Sequence, residues 1–328
     1  MSIEKISKEL KKSIAKGGKD EVRFLVTTYY SLQKMRKALQ EQIRSCVQGK
    51  SMQPASLVYF FDQCEKLENE AKKALNVYAK NHEIGRWAMS ICGIGPVIAA
   101  GLIAVIDMNI AKTPGHIYSF AGINPGQTWF GKKKMETIMR DNGVSPTSGK
   151  KIDFETAMRL AHTVRELGGI KEKTAIRKAK NEKGNITGKT LYQGLSLRPW
   201  NPFLKNLCWK IGESFSKTRN REEDFYGHLL AQRQIEEKMK NEQGKYQEQA
   251  EDILNDKPSH AQKKTYKEGK LPDGHIFSRA KRWAVKIFLS HWWEVAYEEH
   301  YGTEPPFQPY PIEHLGHAHK IEKPVNVK

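Results

Sequence analysis

The stretch SICGIGPVIAAGLIAVID, residues 90–107, constrains this chain more than any other. Pro96 suits the first turn of a helix, where its missing N–H costs nothing. The residues that follow it, Val97, Ile98, Ala99, Ala100, Leu102, Ile103 and Val105, are apolar around the whole circumference. A helix of that kind is buried, so the rest of the chain has to cover it on every side and only its N-terminus is left open. A helix ending at Cys92, the turn Gly93-Ile94-Gly95 and a second helix from Pro96 together read as a helix-hairpin-helix. The glycines let the backbone approach a ligand closely, and free amides at a helix start attract a phosphate. An ordinary tight turn between two helices fits the same short string, so the nucleic-acid reading needs independent support.

Charge supplies some of it. Over 328 residues, 55 Lys and Arg stand against 37 Asp and Glu, a formal charge of +18, which gathers a polyanion by counterion release. Double-stranded DNA is the expected partner, with RNA left open. Hydrophobic residues at 38% and aromatics at 9% are enough to bury a core, which excludes a disordered chain. No run approaches the ~18 apolar residues of a membrane span, and MSIEKISKELKK lacks the apolar core of a signal peptide. The expectation is therefore a cytoplasmic, nucleoid-associated protein with no membrane partner. Cys46, Cys64, Cys92 and Cys208 show no CxxC spacing, so neither a zinc knuckle nor a disulfide framework is indicated. His314, His317 and His319 have ligating side chains, but in a Pro-rich tail they read as incidental. No metal and no cofactor is expected.

The fold class expected is all-α, and the chain divides by pattern. Residues 1–19 form a basic flexible arm. Residues 20–82 form an antiparallel coiled-coil hairpin, because Leu25, Tyr29, Leu32, Leu39, Ile43 and Cys46 keep near-heptad spacing broken only at Arg36, and Leu57, Phe60, Cys64, Leu67, Ala71, Ala74 and Tyr78 recur at steps of three and four, around a Gly/Ser/Pro linker. Its outer stripe offers a surface for a homodimer; a hairpin closed on itself is the alternative. Residues 83–218 form the helix-hairpin-helix core with a basic surface segment. Within it, Lys132 to Lys189 carries 15 Lys and Arg against 7 Asp and Glu; it reads as a long basic surface, helical around 154–167 and flexible over 181–190. Residues 219–272 read as a charged helical insertion with little core, 273–302 as a closing core helix and 303–328 as a Pro-rich tail.

Beyond the turn, Trp129-Phe130-Gly131-Lys132-Lys133-Lys134 sets an aromatic pair beside three cations. That combination suits stacking on a base while holding the backbone; a hydrophobic anchor followed by a solvated turn is the plain alternative. With Gly93, Ile94 and Gly95, the residues Trp129, Lys132, Lys133, Lys134, Arg198 and Trp200 complete the candidate nucleic-acid contacts.

Several strings taken together are similar to one family. They are Cys92-Gly93-Ile94-Gly95-Pro96 leading into Ala99-Ala100, Ile106-Asp107, Phe120-Ala121-Gly122-Ile123-Asn124-Pro125, Gly194-Leu195-Ser196-Leu197-Arg198 and Leu204-Lys205. They resemble the C-terminal part of the insertion-sequence transposases that pair a RuvC-like DEDD domain with a helix-hairpin-helix transposase domain, the bridge-RNA-guided recombinases. The coverage runs from about residue 20 to 302, and the helical pair resembles that family's coiled coil. The family's RuvC-like domain precedes that coiled coil, and the roughly 20 residues standing there have no room for its four metal-binding carboxylates. The resemblance implies Ser196 as the nucleophile of strand transfer, yet Leu197, Pro199 and Trp200 replace the family's basic, Gly-containing string.

Three functions follow as expectations. The first is a metal-independent, monofunctional DNA glycosylase acting on a flipped base, because one class of glycosylases also docks by a helix-hairpin-helix. Asp107, Asp141, Asp153 and Glu155 are its candidate carboxylates, Asp107 and Asp153 foremost, with Trp129, Phe130 and Trp200 as wedges or stacking plates. The sequence departs from that class: His116 stands where its catalytic Asp would, and Val97 where a lyase Lys would. The second is a non-catalytic, domesticated transposase fragment that binds DNA or RNA. The third is a residual recombinase using Ser196 with a partner domain.

Overall fold

The computed structural model describes residues 7–124, 126–256, 258–306 and 321–324, so Pro125 and His314, His317 and His319 lie outside it. Among the described residues the chain is helical throughout, with no strand and a single isolated bridge between Lys151 and Thr187. In order the helices are α1 (Lys8–Ala15), α2 (Lys19–Gln48), α3 (Ala55–Lys80), α4 (Glu83–Ser90), α5 (Pro96–Val105), α6 (Pro114–Ala121), α7 (Lys132–Asp141), α8 (Phe154–Glu166), α9 (Glu172–Ala179), α10 (Gly188–Leu195), α11 (Pro202–Thr218), α12 (Phe225–Glu242), α13 (Gln247–Asp256), α14 (Lys263–Lys267) and α15 (Asp273–Tyr301). No described helix is long and apolar enough to cross a membrane. The chain forms two compact units, one of Met1–Pro114 with Leu207–Lys328 and one of Gly115–Asn206.

In the first unit α5 is the buried axis its composition demands. Val97 and every residue from Ala99 to Val105 are buried, and α2, α3 and α4 pack against it. Each buried Val, Leu or Ile contributes about 1.5–3 kcal/mol, so Val97, Leu102, Ile103 and Val105 hold this helix against its neighbours. Arg23 Nε reaches from α2 to the Ala104 carbonyl at 3.0 Å. The helices α2 and α3 run antiparallel, as Arg36 bonded to Glu68 (2.6 Å) and Asn81 bonded to the Ala15 carbonyl (3.2 Å) require. Burial pushes the Glu68 carboxyl up, but the bonds from Arg36 and Gln33 outweigh it and hold the group below its ordinary value. Toward the far end of this hairpin Val47, Met52, Tyr59 and Phe60 are exposed, because two helices share only one face.

The other half of this unit is built on α15, which packs on α12 and α4. From Ala284 to Ala296 all its residues but Lys286 are buried. Trp87 stacks on Phe288 and Phe215 on Tyr226, with centroids 5.9 and 5.0 Å apart. Here one expectation fails: residues 219–272 hold more core than their sequence showed. Tyr226 and Leu230 are fully buried, and Tyr246, Ala250, Tyr266, Leu271 and Ile276 form a core of their own. Glu237 is buried beneath them, bonded by Tyr246 Oη (2.6 Å), Arg279 Nε (2.8 Å) and Arg233 (2.6 Å). A core of tyrosines around a satisfied carboxylate escapes a search for aliphatic periodicity.

The second unit corrects a larger expectation. Residues 132–189 are not a mere basic surface: Phe130, Met135, Met139, Leu160, Val164, Ile176, Leu191 and Leu195 close a core among α7, α8, α9 and α10. The segment 181–190, read as flexible, is a tied turn. Asn181 Oδ1 accepts from the amides of Lys183 (3.1 Å) and Asn185 (2.9 Å), and Thr187 with Thr190 forms a reciprocal cap at the start of α10.

Candidate nucleic-acid interface

The turn between α4 and α5 is closed by the Ile94 amide donating to the Ile91 carbonyl at 3.0 Å. Its two glycines do different jobs. Gly93 has φ +84°, a left-handed conformation in which a Cβ is costly. Its carbonyl accepts from Ser214 Oγ, and a Cβ there would stand 2.8 Å from that hydroxyl and 3.2 Å from Thr218 Oγ1. Gly93 is therefore a folding residue, pinned to α11. Gly95 is the N-cap of α5 with φ −101° and ψ 173°, extended backbone open to any residue, and a Cβ on it would meet nothing within 4 Å. Ile94 turns inward, 5% exposed. Of the two glycines, only Gly95 has open space where a side chain would stand.

Around this turn lies a pocket of ≈ 320 Å³ lined by Ser90–Gly95 together with Arg221, Glu223, Phe225 and Pro324. Among the described residues the amides of Gly95 and Val97 donate to no protein acceptor, which is the ordinary state of the first amides of a helix. The wall facing the turn is tied down by a relay: Ser214 holds the Gly93 carbonyl, Thr218 Oγ1 donates to Asp224 Oδ2 at 2.6 Å, and fully buried Asp224 caps α12 through the Gly227 amide at 2.9 Å. Arg221 stands inside that frame, its amide bonded to the Thr218 carbonyl at 2.8 Å. The sequence reading missed Arg221, Ser214 and Thr218. The only local trace was the four-residue spacing of two hydroxyls on α11.

In the second unit the predicted aromatic and basic residues fall into two groups. Trp129, 44% exposed, donates its Nε1–H to the Ser196 carbonyl at 3.0 Å, and the Arg198 guanidinium lies 4.7 Å from its ring centroid. Lys132, Lys133 and Lys134 are exposed in the first turn of α7, where cations oppose the helix dipole and a bound anion would relieve them. Trp200 is engaged otherwise: its indole lies against Gly122, φ +64°, where a Cβ would be 2.5 Å away, and Lys205 Nζ sits 3.4 Å from its centroid. It braces the unit.

Two of the three candidate catalytic side chains, Asp107 and Asp153, are accounted for by the fold itself. Asp107 Oδ1 accepts from the Asn109 amide (3.0 Å) and lies 4.0 Å from Lys19; the amide bond foremost holds its carboxyl below the usual range. Asp153 caps α8, accepting from the Thr156 amide at 2.7 Å, which lowers it likewise. Ser196 caps the C-terminus of α10 through its amide, bonded to the Tyr192 carbonyl at 2.9 Å, and its Oγ is buried beside the Tyr192 hydroxyl. Asp107 belongs to the first unit, Asp153 and Ser196 to the second.

Residues 85–146, from α4 through the glycine turn and α5 to α7, match the model of the transposase IS116/IS110/IS902 family. This region is transposase-like, as the strings of residues 92–125 imply. No curated protein and no solved structure gives a significant match.

Proposed function

We propose that the chain binds nucleic acid, duplex DNA first, by seating a backbone phosphate on the turn before α5. The observation that carries this reading is the division of labour between Gly93 and Gly95. One glycine is locked to α11 and makes the turn rigid; the other leaves the mouth of a buried helix uncovered, with the Gly95 and Val97 amides undonated and Arg221, set against the single carboxylate Glu223, on the same pocket. Amides fixed in place and a cation beside them are what a phosphate requires. The match of residues 85–146 to a transposase family and the +18 charge support the same partner. Base excision by Asp107 or Asp153 and strand transfer by Ser196 stay outside this reading, since a local turn engages Asp107, a helix cap engages Asp153, and no base is bonded to Ser196 Oγ among the described residues.

Hydrogen exchange tests it. With the protein saturated by a short duplex, the amides of the segment from Ile91 to Ile98 exchange more slowly than in the free protein, and those of the α8 cap do not. Unchanged exchange over that segment at saturation would refute the reading.

A further inference from the structure

The side of α11 that holds the glycine turn does not stop at the turn. Positions 210, 214, 217 and 218 share one side of a helix by their three- and four-residue spacing. Ser214 and Thr218 are spent on Gly93 and Asp224, whereas Lys210 and Lys217 have no ion-pair partner among the described residues. Glu213, the carboxylate beside them in sequence, is taken by Lys281. Lys210 Nζ lies 3.9 Å from the Tyr30 centroid on α2 and 5.9 Å from that of Trp209. Trp209 is 59% exposed, and Lys37 and Lys217 are exposed as well. Burial first, then the charges of Lys37 and Lys217, hold the Lys210 ammonium below its ordinary value. Like charges crowded around a carboxylate that is already engaged by Lys281 repel one another in the free protein. A polyanion relieves that repulsion.

We infer that Lys37, Lys210 and Lys217, over Tyr30 and Trp209, form a ledge that takes a nucleic-acid strand running on from the glycine turn, with phosphates on the lysines and an unpaired base on the Trp209 indole. Continuity with the turn rests on the function proposed above; the ledge itself rests on its own geometry. Aromatic plates between cations distinguish a nucleic-acid track from a site for an acidic peptide, which would use the lysines and leave the indole idle.

Fluorescence anisotropy with a labelled single-stranded oligonucleotide, titrated at several salt concentrations, tests this on the full chain. The side chains of Lys37, Lys217 and Trp209 are exposed, so Lys37→Gln with Lys217→Gln, and separately Trp209→Ala, leave the core intact. The double variant is expected to lower the slope of log K against log salt by about 1.4, at about 0.7 per lost phosphate contact on a single strand. Trp209→Ala is expected to weaken binding about tenfold. An unchanged slope together with unchanged affinity in Trp209→Ala overturns the ledge, as does polyglutamate displacing the strand as well as unlabelled oligonucleotide does. The two readings separate through Gly95→Asp. Lost binding there with indifferent ledge variants leaves the turn and removes the ledge; a lowered slope in the ledge variants with an indifferent Gly95→Asp does the reverse.

Discussion

Replacing Gly95 with aspartate separates folding from binding in one residue. The position is the N-cap of α5 in extended backbone, with no atom within 4 Å of the added Cβ. Aspartate is among the preferred N-caps and glycine a weaker one. Its carboxylate would accept the free Val97 amide and face the positive end of the helix, so Gly95→Asp is expected to raise stability by about 0.5–1 kcal/mol. For binding the same change works in the opposite direction. A carboxylate about 5 Å from a docked phosphate repels it by about 3 kcal/mol at an effective dielectric near 20, before screening. The amide it occupies also withdraws a charge-assisted hydrogen bond of about 1.5–3 kcal/mol. After screening at 0.1 M salt, a net loss of about 3 kcal/mol is expected, or about 100-fold in Kd. Gly95→Asn is the control, since it occupies the amide without the charge and should lose about tenfold. Thermal melting and anisotropy on the same preparations read both quantities. A Gly95→Asp protein that melts no lower than the parent and binds duplex equally well would refute the docking argument, because misfolding could not be blamed.

Gly93→Ala should behave in the opposite way: with φ +84° and Ser214 Oγ 2.8 Å from the new Cβ, it is expected to cost about 1–3 kcal/mol of stability, seen as a lowered Tm. Glu237 provides a test in pH. Burial raises its carboxyl, but the bonds from Tyr246 and Arg279 and the charges of Arg233 and Arg279 prevail and hold it below the ordinary value. Its contribution is therefore present above the unfolded pKa, about 4.3, and is lost as pH falls through the folded value. Glu237→Gln should cost about 2–4 kcal/mol near neutrality and melt with a flatter acid limb than the parent; an acid limb of equal steepness would remove Glu237 from the account.

What the sequence disclosed follows physical range. Periodicity and capping act within a few residues, so α2, α3, α5, α8, α11 and α15 stand close to where their patterns place them. Pro96 starts α5, as its position before the apolar run implies. What escaped depends on distant partners. Met135 and Met139 look like fillers in a basic stretch until Leu160 and Leu191 close over them. The turn was legible as a string, but not the different roles of its glycines, because Gly93 is defined by Ser214, 121 positions away. Arg221 had no local motif at all; only the pocket at the turn singles it out.

Net charge was the most visible sign of a polyanionic partner and is the least specific of the observations. Many of the chain's cations are already answered within the fold. Arg36 is held by Glu68, Arg233 and Arg279 by Glu237, Lys281 by Glu213 and Lys270 by Glu242. A cation paired in that way has little left for a phosphate, since a ligand must first displace its carboxylate. The cations that matter are those the fold leaves without such a partner while fixing their surroundings. Lys210 is of this kind, carried by a helix that also anchors the glycine turn, and so is Arg198, stacked on Trp129. Neutralising a paired lysine such as Lys270 should therefore lower the salt slope of binding far less than neutralising Lys217, although both changes remove one unit of charge from the chain. Equal effects would mean that the chain holds its polyanion by bulk charge alone.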